Sequence, residues 1–328
     1  MKVFLTGATG YIGGDLLYVI SGERPEWEIT CIVRTKEKGE KVRASFPKVH
    51  LVYGDNNSTG LIEEEAAKAD IIYHTSASDE DVPSAKAIAR GLARSRGYYI
   101  HTSGGLGLAA ESVLKNNYGK RFDHVYDDWS HVDEIISRPD KEPHAKVDHI
   151  ALSAGSDVVK VSIVAPAVVY GEGRGPDKKH PFPMWTSFLE HKQVFLIEKG
   201  DNIWHYVHIR YLSQLYLLLG EAAARGGGSA TWNGRGYYLA EHGHYVMEEM
   251  LQLAASILFK KGLITNSEIR HLSVEEAEKL MPYSRVMLGA NSRGLAIRAK
   301  NLLGWKPSRL KFEDCMEDSI ELAAKDLK

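Results

Sequence analysis

The 328-residue sequence predicts an α/β fold with a doubly wound parallel sheet and a smaller C-terminal substrate lobe. Short apolar runs alternate with helical stretches through the first half of the chain, as in β–α–β units. The first run, Val3–Leu5, stops at a glycine-rich turn, and helical periodicity follows over residues 11–21. Right-handed crossovers between such strands give a parallel sheet, whose ligands collect at the carboxyl ends of the strands.

Further apolar runs continue this pattern. We predict a helix over residues 82–96 and strands over 29–33, 49–53, 71–74, 98–101 and 158–164. Residues 104–143 are polar, aromatic and irregular, which predicts a long loop with some helix that either covers a site or is disordered.

The part of the chain after about residue 170 mixes turns and helices with one further predicted strand, Tyr237–Ala240. We therefore assign residues 1–170 to the sheet domain and 171–328 mainly to the substrate lobe. Segments at about 204–225 and 235–242 are expected to return to the sheet domain.

Composition and charge narrow the functional class. The chain has 41 basic and 43 acidic residues, a net charge of −2 that does not favour a nucleic-acid or membrane-surface partner. Its two cysteines are far apart, so neither a metal site nor a disulfide framework is expected. No signal peptide or membrane-spanning run is visible. We expect a cytoplasmic protein whose partner is a small-molecule substrate.

The glycine-rich turn Gly7–Gly13 has the pattern G-x-x-G-x-x-G. Such a pattern is weak evidence in isolation, where it can be an ordinary turn, but here it follows a strand and opens a helix. The glycines let the backbone approach a pyrophosphate, and the helix N-terminus offers free N–H groups. This context predicts a Rossmann-type domain that binds a dinucleotide.

The end of the second strand indicates which dinucleotide. A site for NAD(H) usually has a carboxylate about 20 residues past the turn, on the ribose 2′-hydroxyl. The corresponding residues here, Val33–Lys36, contain no carboxylate, and Arg34 with nearby Lys38 suits a 2′-phosphate. We therefore expect NADP(H) rather than NAD(H). The alternative is that these cations are ordinary surface charges.

Residues after the later strands complete the predicted cofactor site. Asp55 could contact the adenine or could be a turn residue in Gly-Asp-Asn-Asn. The residues expected at the cofactor are Gly7, Thr9, Gly10, Tyr11, Ile12, Gly13, Arg34, Lys38, Asp55, Thr75, Ser76, Ala77, Pro166 and Val169.

Taken together, six motifs resemble the extended short-chain dehydrogenase/reductase superfamily, of the NAD-dependent epimerase/dehydratase type. The resemblance covers nearly the whole chain and implies an adenine contact at Asp55, an active-site serine on the fifth strand and a segment from Ala165 against the nicotinamide. Members of this superfamily often form dimers, which leaves a homodimer open. The motifs are Thr6–Gly13, Gly54–Asp55, His101–Gly104, Ala165–Gly171, Trp204–Arg210 and Leu303–Pro307.

The chain departs from this family at its catalytic hallmark, Tyr-x-x-x-Lys. No tyrosine is followed four residues later by lysine. At the expected place His144 stands at the tyrosine position and Asp148 at the lysine position, with a spacing that puts both on one helix face. The family serine maps to Ser103 or to Gly104. The chain therefore resembles an atypical branch.

The remaining chemistry supports a reductase hypothesis in which Ser103 polarises a carbonyl or imine and His144 protonates it. Asp148 would orient or charge-stabilise His144, or bind the cofactor ribose. The alternative is that His144 is exposed and Asp148 belongs to a helix-start network. Met184, Trp185 and the aromatic loop suggest an apolar or aromatic substrate. Other candidate proton donors are His101, Tyr118, Tyr126, Trp129, Lys146, Tyr170, His205 and Tyr206.

Three functions stay open at this stage. The leading hypothesis is an NADPH-dependent oxidoreductase acting on a small organic carbonyl or imine. A non-reductive isomerase, dehydratase or cyclase is the second, and the missing Tyr/Lys pair favours it. A non-catalytic NADP(H)-binding sensor is the third, because a fold alone does not choose between them.

Overall fold

A computed structural model describes residues 1–176, 182–307 and 310–327. Two short 3-10 helices occur at Gly105–Ala109 and Asn233–Arg235. The strands are β1 (Lys2–Thr6), β2 (Glu28–Val33), β3 (His50–Tyr53), β4 (Ile71–His74), β5 (Gly97–Thr102), β6 (Tyr126–Asp127), β7 (Val159–Pro166), β8 (Val168–Tyr170), β9 (Val194–Ile197), β10 (Ile203–His208), β11 (Tyr237–Ala240), β12 (Gly243–Val246), β13 (Ile269–Leu272) and β14 (Gly294–Leu295).

The helices alternate with these strands in the first half of the chain and dominate the second. They are α1 (Tyr11–Glu23), α2 (Lys36–Ser45), α3 (Thr59–Lys68), α4 (Val82–Leu92), α5 (Ala110–Leu114), α6 (Val132–Ile136), α7 (Ala145–Ser153), α8 (Pro183–His191), α9 (Ile209–Ala224), α10 (Met247–Lys260), α11 (Val274–Leu280), α12 (Ser284–Met287), α13 (Arg298–Leu303) and α14 (Phe312–Asp326).

The central sheet has seven parallel strands in the order β11-β7-β5-β4-β1-β2-β3. Strands β1 to β3 extend the sheet in one direction, and the chain then crosses back so that β4 lies on the other side of β1. This reversal leaves a crevice at the carboxyl ends of β1 and β4, where doubly wound sheets bind ligands. The predicted fold class is confirmed.

Helices cover both faces of this sheet because each has an apolar stripe. Residues of α1 and α9, such as Leu16, Ile20 and Leu215, share one buried cluster with the strands. Residues of α3, α4 and α7, such as Ile62 and Ile88, form a second cluster on the opposite face. The site residues therefore stand on a framework with a core on each side.

The C-terminal part has its own core. Aromatic and aliphatic side chains of α8, β9, α10 and α14 form a separate buried cluster that includes Met184, Trp185 and Phe312. Short sheets accompany it, in the orders β12-β10-β8 and β13-β9. Met184 and Trp185 are 2% and 1% exposed, so they pack in this core, contrary to the expectation that they mark a substrate pocket.

Several elements differ from the sequence-based predictions. One further strand is predicted after residue 170, but β9, β10, β12, β13 and β14 are also present. These strands are short, and β10 carries two histidines and a tryptophan, so apolar alternation does not reveal it. Helix α4 ends at Leu92 rather than at residue 96, since a turn leads into Gly97. No helix among the described residues is long and apolar enough to cross a membrane.

Candidate functional site

The turn after β1 is shaped by close backbone packing. Gly7 has φ +80°, a conformation that side chains rarely adopt, and a Cβ there would lie 2.6 Å from Thr75 Oγ1. A Cβ on Gly13 would lie 2.4 Å from the Gly7 carbonyl oxygen. Thr75 is fixed in turn, because its Oγ1 donates to the Thr6 carbonyl at 2.7 Å. The turn is therefore held against the end of β4.

Helix α1 begins at this turn with its N-terminus open. Its N-cap, Gly10, makes no side-chain cap, and the first turn holds no acidic residue. An uncapped helix start presents free N–H groups and a positive dipole end to an anion. A Cβ on Gly10 would meet only the Gly7 carbonyl oxygen, at 3.4 Å, so the space in front of Gly10 is open. This arrangement fits a diphosphate.

A cavity of about 620 Å³ extends from this turn along the carboxyl ends of β2, β3 and β4. Its size is within the usual range for small-molecule sites. Most of the predicted cofactor residues line it, namely Gly7, Thr9, Gly10, Tyr11, Ile12, Gly13, Arg34, Lys38, Asp55, Thr75, Ser76 and Ala77. Five lining residues were not predicted: Ile32, Val33, Gly54, Asn56 and Asn57.

The far end of the cavity is basic. Arg34 and Lys38 both line it, and Arg34 is exposed. Lys38 is placed by the start of α2, where its backbone N–H donates to Thr35 Oγ1 at 3.2 Å. The nearest carboxylate in sequence, Glu37, is not among the residues lining the cavity and pairs with Lys41 at 3.0 Å. The end of β2 therefore presents two positive charges to the cavity and no carboxylate, which suits a phosphate.

Hydrogen bonds join the segments that follow β3 and β4. Asn56 Nδ2 donates to the Ser76 carbonyl at 2.9 Å, and Ser76 Oγ donates to Asn56 Oδ1 at 2.9 Å. Asp55 Oδ1 accepts from Asn57 N–H at 2.9 Å, so its carboxylate forms the turn that was weighed as the alternative to an adenine contact. Because Asp55 also lines the cavity, both roles are compatible.

Two predicted cofactor residues lie elsewhere. Pro166 and Val169 are buried, and neither is among the residues that line this cavity. A larger groove, about 800 Å³, lies between α1 and α9 and includes Tyr18 and Arg210. Of the described residues that line this groove, none was predicted to be functional.

Ser103, at the end of β5, is drawn into a buried polar cluster. Its hydroxyl donates to Asp148 Oδ2 at 3.0 Å, and the same oxygen accepts from Arg138 Nη2 at 3.2 Å and Tyr237 Oη at 3.3 Å. Ser103 and Asp148 are 3% and 2% exposed. Burial raises the pKa of Asp148 to about 6, against the opposing effect of the Arg138 charge. Asp148 therefore anchors Ser103.

His144 precedes α7 as its N-cap residue, with φ 64°. Its Nδ1 lies 3.2 Å from the Asp79 carbonyl oxygen and 3.8 Å from Asp79 Oδ2. A carbonyl only accepts, so Nδ1 carries the proton and Nε2 is left bare in the neutral ring. A Cβ on Gly104 would lie 3.1 Å from Nε2, which places this nitrogen over the end of β5. The hydrogen-bond partner of His144 is Asp79, not Asp148.

The other candidate proton donors are less well placed. His101, Tyr170, His205 and Tyr206 are buried and hydrogen-bonded or packed in the interior, Tyr118 is 5% exposed, and Lys146 and Trp129 are exposed. Tyr126 is half-buried in β6. No group of three or more His, Cys, Asp or Glu side chains suited to a metal ion occurs among the described residues.

Sequence reasoning missed Asp79, Arg138 and Tyr237. Asp79 follows β4 at the ligand edge of the sheet, and that position was the available signal. Arg138 donates to the Gly107 and Pro143 carbonyls as well as to Asp148, which only the folded loop reveals. The predicted long loop over residues 104–143 is in fact held to the site by this arginine.

Known proteins resemble the chain over nearly its whole length. "Oxidase ucsJ" of an Acremonium species is 31% identical over 325 residues, which cover 93% of this chain and 92% of the relative. Among solved structures, the dTDP-glucose 4,6-dehydratase DesIV of Streptomyces venezuelae, with NAD and TYD bound, has a TM-score of 0.69 at 16% identity, with 99% of this chain and 98% of that chain covered. UDP-glucose 4-epimerase of Thermotoga maritima has a TM-score of 0.68 at 14% identity and full coverage of both chains.

No family model matches the sequence. The relative at 31% identity and the parallel sheet shared with the epimerase and the dehydratase agree with the motifs at the turn and along the strands. The absence of the Tyr-x-x-x-Lys pair marks this chain as atypical. The chain belongs to the extended short-chain dehydrogenase/reductase superfamily, of the epimerase/dehydratase type.

Proposed function

We propose that the chain is an NADP(H)-dependent oxidoreductase that reduces a carbonyl or imine group of a small organic substrate. The observation that carries this proposal is one continuous edge of the sheet. The open turn and the cations Arg34 and Lys38 lie at one end of this edge, and Ser103 and His144 lie at the end of β5. A relative named an oxidase supports the oxidoreductase class.

The described residues fit the cofactor. The first N–H groups of α1 would hold the diphosphate, Arg34 and Lys38 the 2′-phosphate, and Asp55 the adenine. When bound, NADPH supplies a hydride. The solved relative DesIV is described with NAD, so the preference for the phosphorylated form depends on this chain's own two cations.

His144 is the proposed proton carrier. The Asp79 carbonyl fixes its tautomer, so a proton gained by the ring is held at Nε2, over Gly104. His144 thus takes the place of the missing tyrosine, although its side chain is only 5% exposed.

Ser103 is the proposed hydrogen-bond donor to the substrate oxygen. Its single proton is given to Asp148, so Ser103 must exchange that partner before it can polarise a substrate. Asp148 does not bind the ribose in this proposal, because Arg138, Tyr237 and Ser103 surround its Oδ2 in the interior.

A second candidate is a non-reductive isomerase, dehydratase or cyclase. It is favoured by the missing Tyr/Lys pair and by solved structures named as an epimerase and a dehydratase at similar TM-scores. A non-catalytic NADP(H)-binding protein is the third possibility.

The test is turnover by the purified chain with NADPH and with NADP+, against aldehydes, ketones, imines and the corresponding alcohols and amines. Consumption of NADPH supports the proposal. Turnover only with NADP+ would mean that the chain oxidises its substrate and does not reduce it. Substrate conversion without net change in the cofactor supports the second candidate. Tight binding without turnover supports the third. His144→Phe should abolish turnover, whereas His50→Phe, at an exposed histidine of β3, should not.

A further inference from the structure

A line of buried hydrogen-bonding side chains crosses the sheet face beneath α4. Ser84 Oγ lies 3.0 Å from His74 Nε2, His74 Nδ1 lies 3.0 Å from Tyr99 Oη, and Tyr99 Oη lies 3.0 Å from His101 Nδ1. Ser84 is 1% exposed and the other three are 0% exposed. We call Ser84, His74, Tyr99 and His101 the buried line.

The inner end of the buried line faces Asp148. His101 Nε2 lies 3.8 Å from Asp148 Oδ1, and neither atom has a hydrogen-bond partner among the described residues. Buried polar atoms are rarely left unpaired. A shortening of about 1 Å would make this contact a normal hydrogen bond. The inner end therefore has one available partner, which is the carboxylate that anchors Ser103.

The outer end lies under the first turn of α4. Ser84 N–H donates to Asp81 Oδ1 at 3.3 Å, and Ser84 Oγ lies 3.4 Å from the Asp81 carbonyl oxygen. Asp81 is the N-cap of this helix and is only partly buried. The buried line thus runs from the start of α4, beside the partly exposed Asp81, to the interior of the candidate site.

The protonation states of His74 and His101 are linked through Tyr99. Burial lowers the pKa of His74 to about 3, and burial, with the neighbouring His74 and His144, holds the pKa of His101 well below its usual range. Both rings are therefore neutral at neutral pH. Tyr99 has one proton to share between two Nδ1 atoms, so one Nδ1 accepts it and the other must donate. The two rings are thus opposite tautomers.

We propose that the buried line is a proton relay that loads and unloads Asp148 from the Asp81 end, and so controls when the Ser103 hydroxyl is free for the substrate. This inference rests on the proposed function and adds a route for a proton to it. His74, Tyr99 and His101 are positioning residues in this scheme, since they act through Asp148.

The transfer balances at every step. At the outer end a hydronium ion gives a proton to Ser84 Oγ and leaves water, as Ser84 passes its own proton to His74 Nε2. His74 Nδ1–H then protonates Tyr99, Tyr99 passes its proton to His101 Nδ1, and His101 Nε2–H protonates Asp148 Oδ1. Each ring ends neutral with its proton on the other nitrogen. One proton has entered, and only Asp148 has changed charge.

Protonation of Asp148 changes what Ser103 can do. A hydrogen bond to a carboxylate is roughly twice as strong as one to a neutral acceptor, so Ser103 is held less tightly by the neutral acid. The groups that face Asp148 are Arg138, Tyr237, His101 and His144, and of these only the first is a permanent cation. The hydroxyl can then turn toward a substrate oxygen at the end of β5.

The test is a pH titration of the chain carrying 15N-labelled histidine, without cofactor or substrate, followed by nitrogen NMR. His74→Gln and His101→Gln assign the two rings among the 14 histidines. We expect opposite neutral tautomers that both invert at one midpoint near pH 6, where Asp148 titrates. Asp148→Asn should abolish the inversion. Identical tautomers, or an inversion that survives in Asp148→Asn, would overturn the proposal.

Tyr99→Phe breaks the relay while keeping the ring. We expect it to uncouple the two histidines and to lower kcat about tenfold or more at unchanged KM, with a larger solvent isotope effect. The matched control is Tyr73→Phe, because Tyr73 is also fully buried but donates to the Tyr216 carbonyl outside the relay. Equal kcat losses in both variants, or tautomers still coupled in Tyr99→Phe, contradict the relay. If the His74 and His101 tautomers are coupled but the chain shows no turnover, the relay is supported and the proposed function is refuted.

Discussion

Replacing Gly10 by alanine separates the folding role of the phosphate turn from its binding role. Gly10 has φ −91° and ψ 177°, a backbone conformation that alanine adopts readily, and the new Cβ would meet only the Gly7 carbonyl oxygen at 3.4 Å. Alanine is a poorer N-cap residue than glycine, which destabilises the fold, but it also restricts the unfolded chain, which stabilises the fold. Each effect amounts to about 0.5–1 kcal/mol, and the two have opposite signs. We expect the free energy of unfolding to change by less than about 1 kcal/mol.

Gly10→Ala should weaken NADPH binding far more than it changes stability. The methyl group enters the space in front of the α1 N-terminus, where a diphosphate would accept hydrogen bonds from backbone N–H groups. Loss of two charge-assisted hydrogen bonds at about 1.5–3 kcal/mol each weakens binding by at least about 100-fold. NADPH fluorescence titration measures the Kd, and urea unfolding measures the stability.

Two other glycines of α1 serve as controls. Gly22→Ala places its Cβ in open space and should leave both quantities nearly unchanged. Gly13→Ala places its Cβ 2.4 Å from the Gly7 carbonyl oxygen and should destabilise the fold itself. If Gly10→Ala folds normally and binds NADPH with the wild-type Kd, the diphosphate does not lie at this turn.

Three further predictions address the cations, the proton carrier and acid stability. Arg34→Ala should weaken NADP(H) about tenfold and NAD(H) less than twofold in paired Kd measurements, since only the former carries the 2′-phosphate; equal losses refute that contact. His144→Phe should lower kcat by about 10²- to 10⁴-fold at an unchanged cofactor Kd, and unchanged turnover removes His144 from the mechanism. Burial lowers the pKa of His205 to about 4, so the unfolded chain binds a proton as pH falls below 6.5 and stability is lost toward the folded pKa. Between pH 7 and pH 5 the unfolding free energy of wild type should fall by about 2 kcal/mol more than that of His205→Gln, which lacks this histidine. The same pH dependence of the unfolding free energy in both proteins would contradict this assignment.

Local patterns explain what the sequence could predict. The apolar runs between turn residues predict the parallel sheet. The turn Gly7–Gly13 follows β1, and the cations Arg34 and Lys38 follow β2, so this sheet predicts that they share one edge, and one cavity is lined by them. Each of these patterns is carried by residues that are close together along the chain.

The catalytic end of the site was harder because its contacts join distant segments. Ser103, Asp148, Arg138 and Tyr237 meet only when β5, α7, the end of α6 and β11 are assembled. The four-residue spacing of His144 and Asp148 suggested one helix face, but His144 stands just before α7 with a left-handed backbone. Its side chain turns to Asp79 for that reason, and no periodicity argument contains this contact.

The measurement that tests the central claim most directly is calorimetric titration of the purified chain with NADPH, NADP+, NADH and NAD+. Binding of a dinucleotide at one site per chain, with the phosphorylated forms tighter, is the predicted result. A folded chain that takes up none of the four would contradict the claim, and the roles assigned to His144 and Ser103 would then have no cofactor to serve.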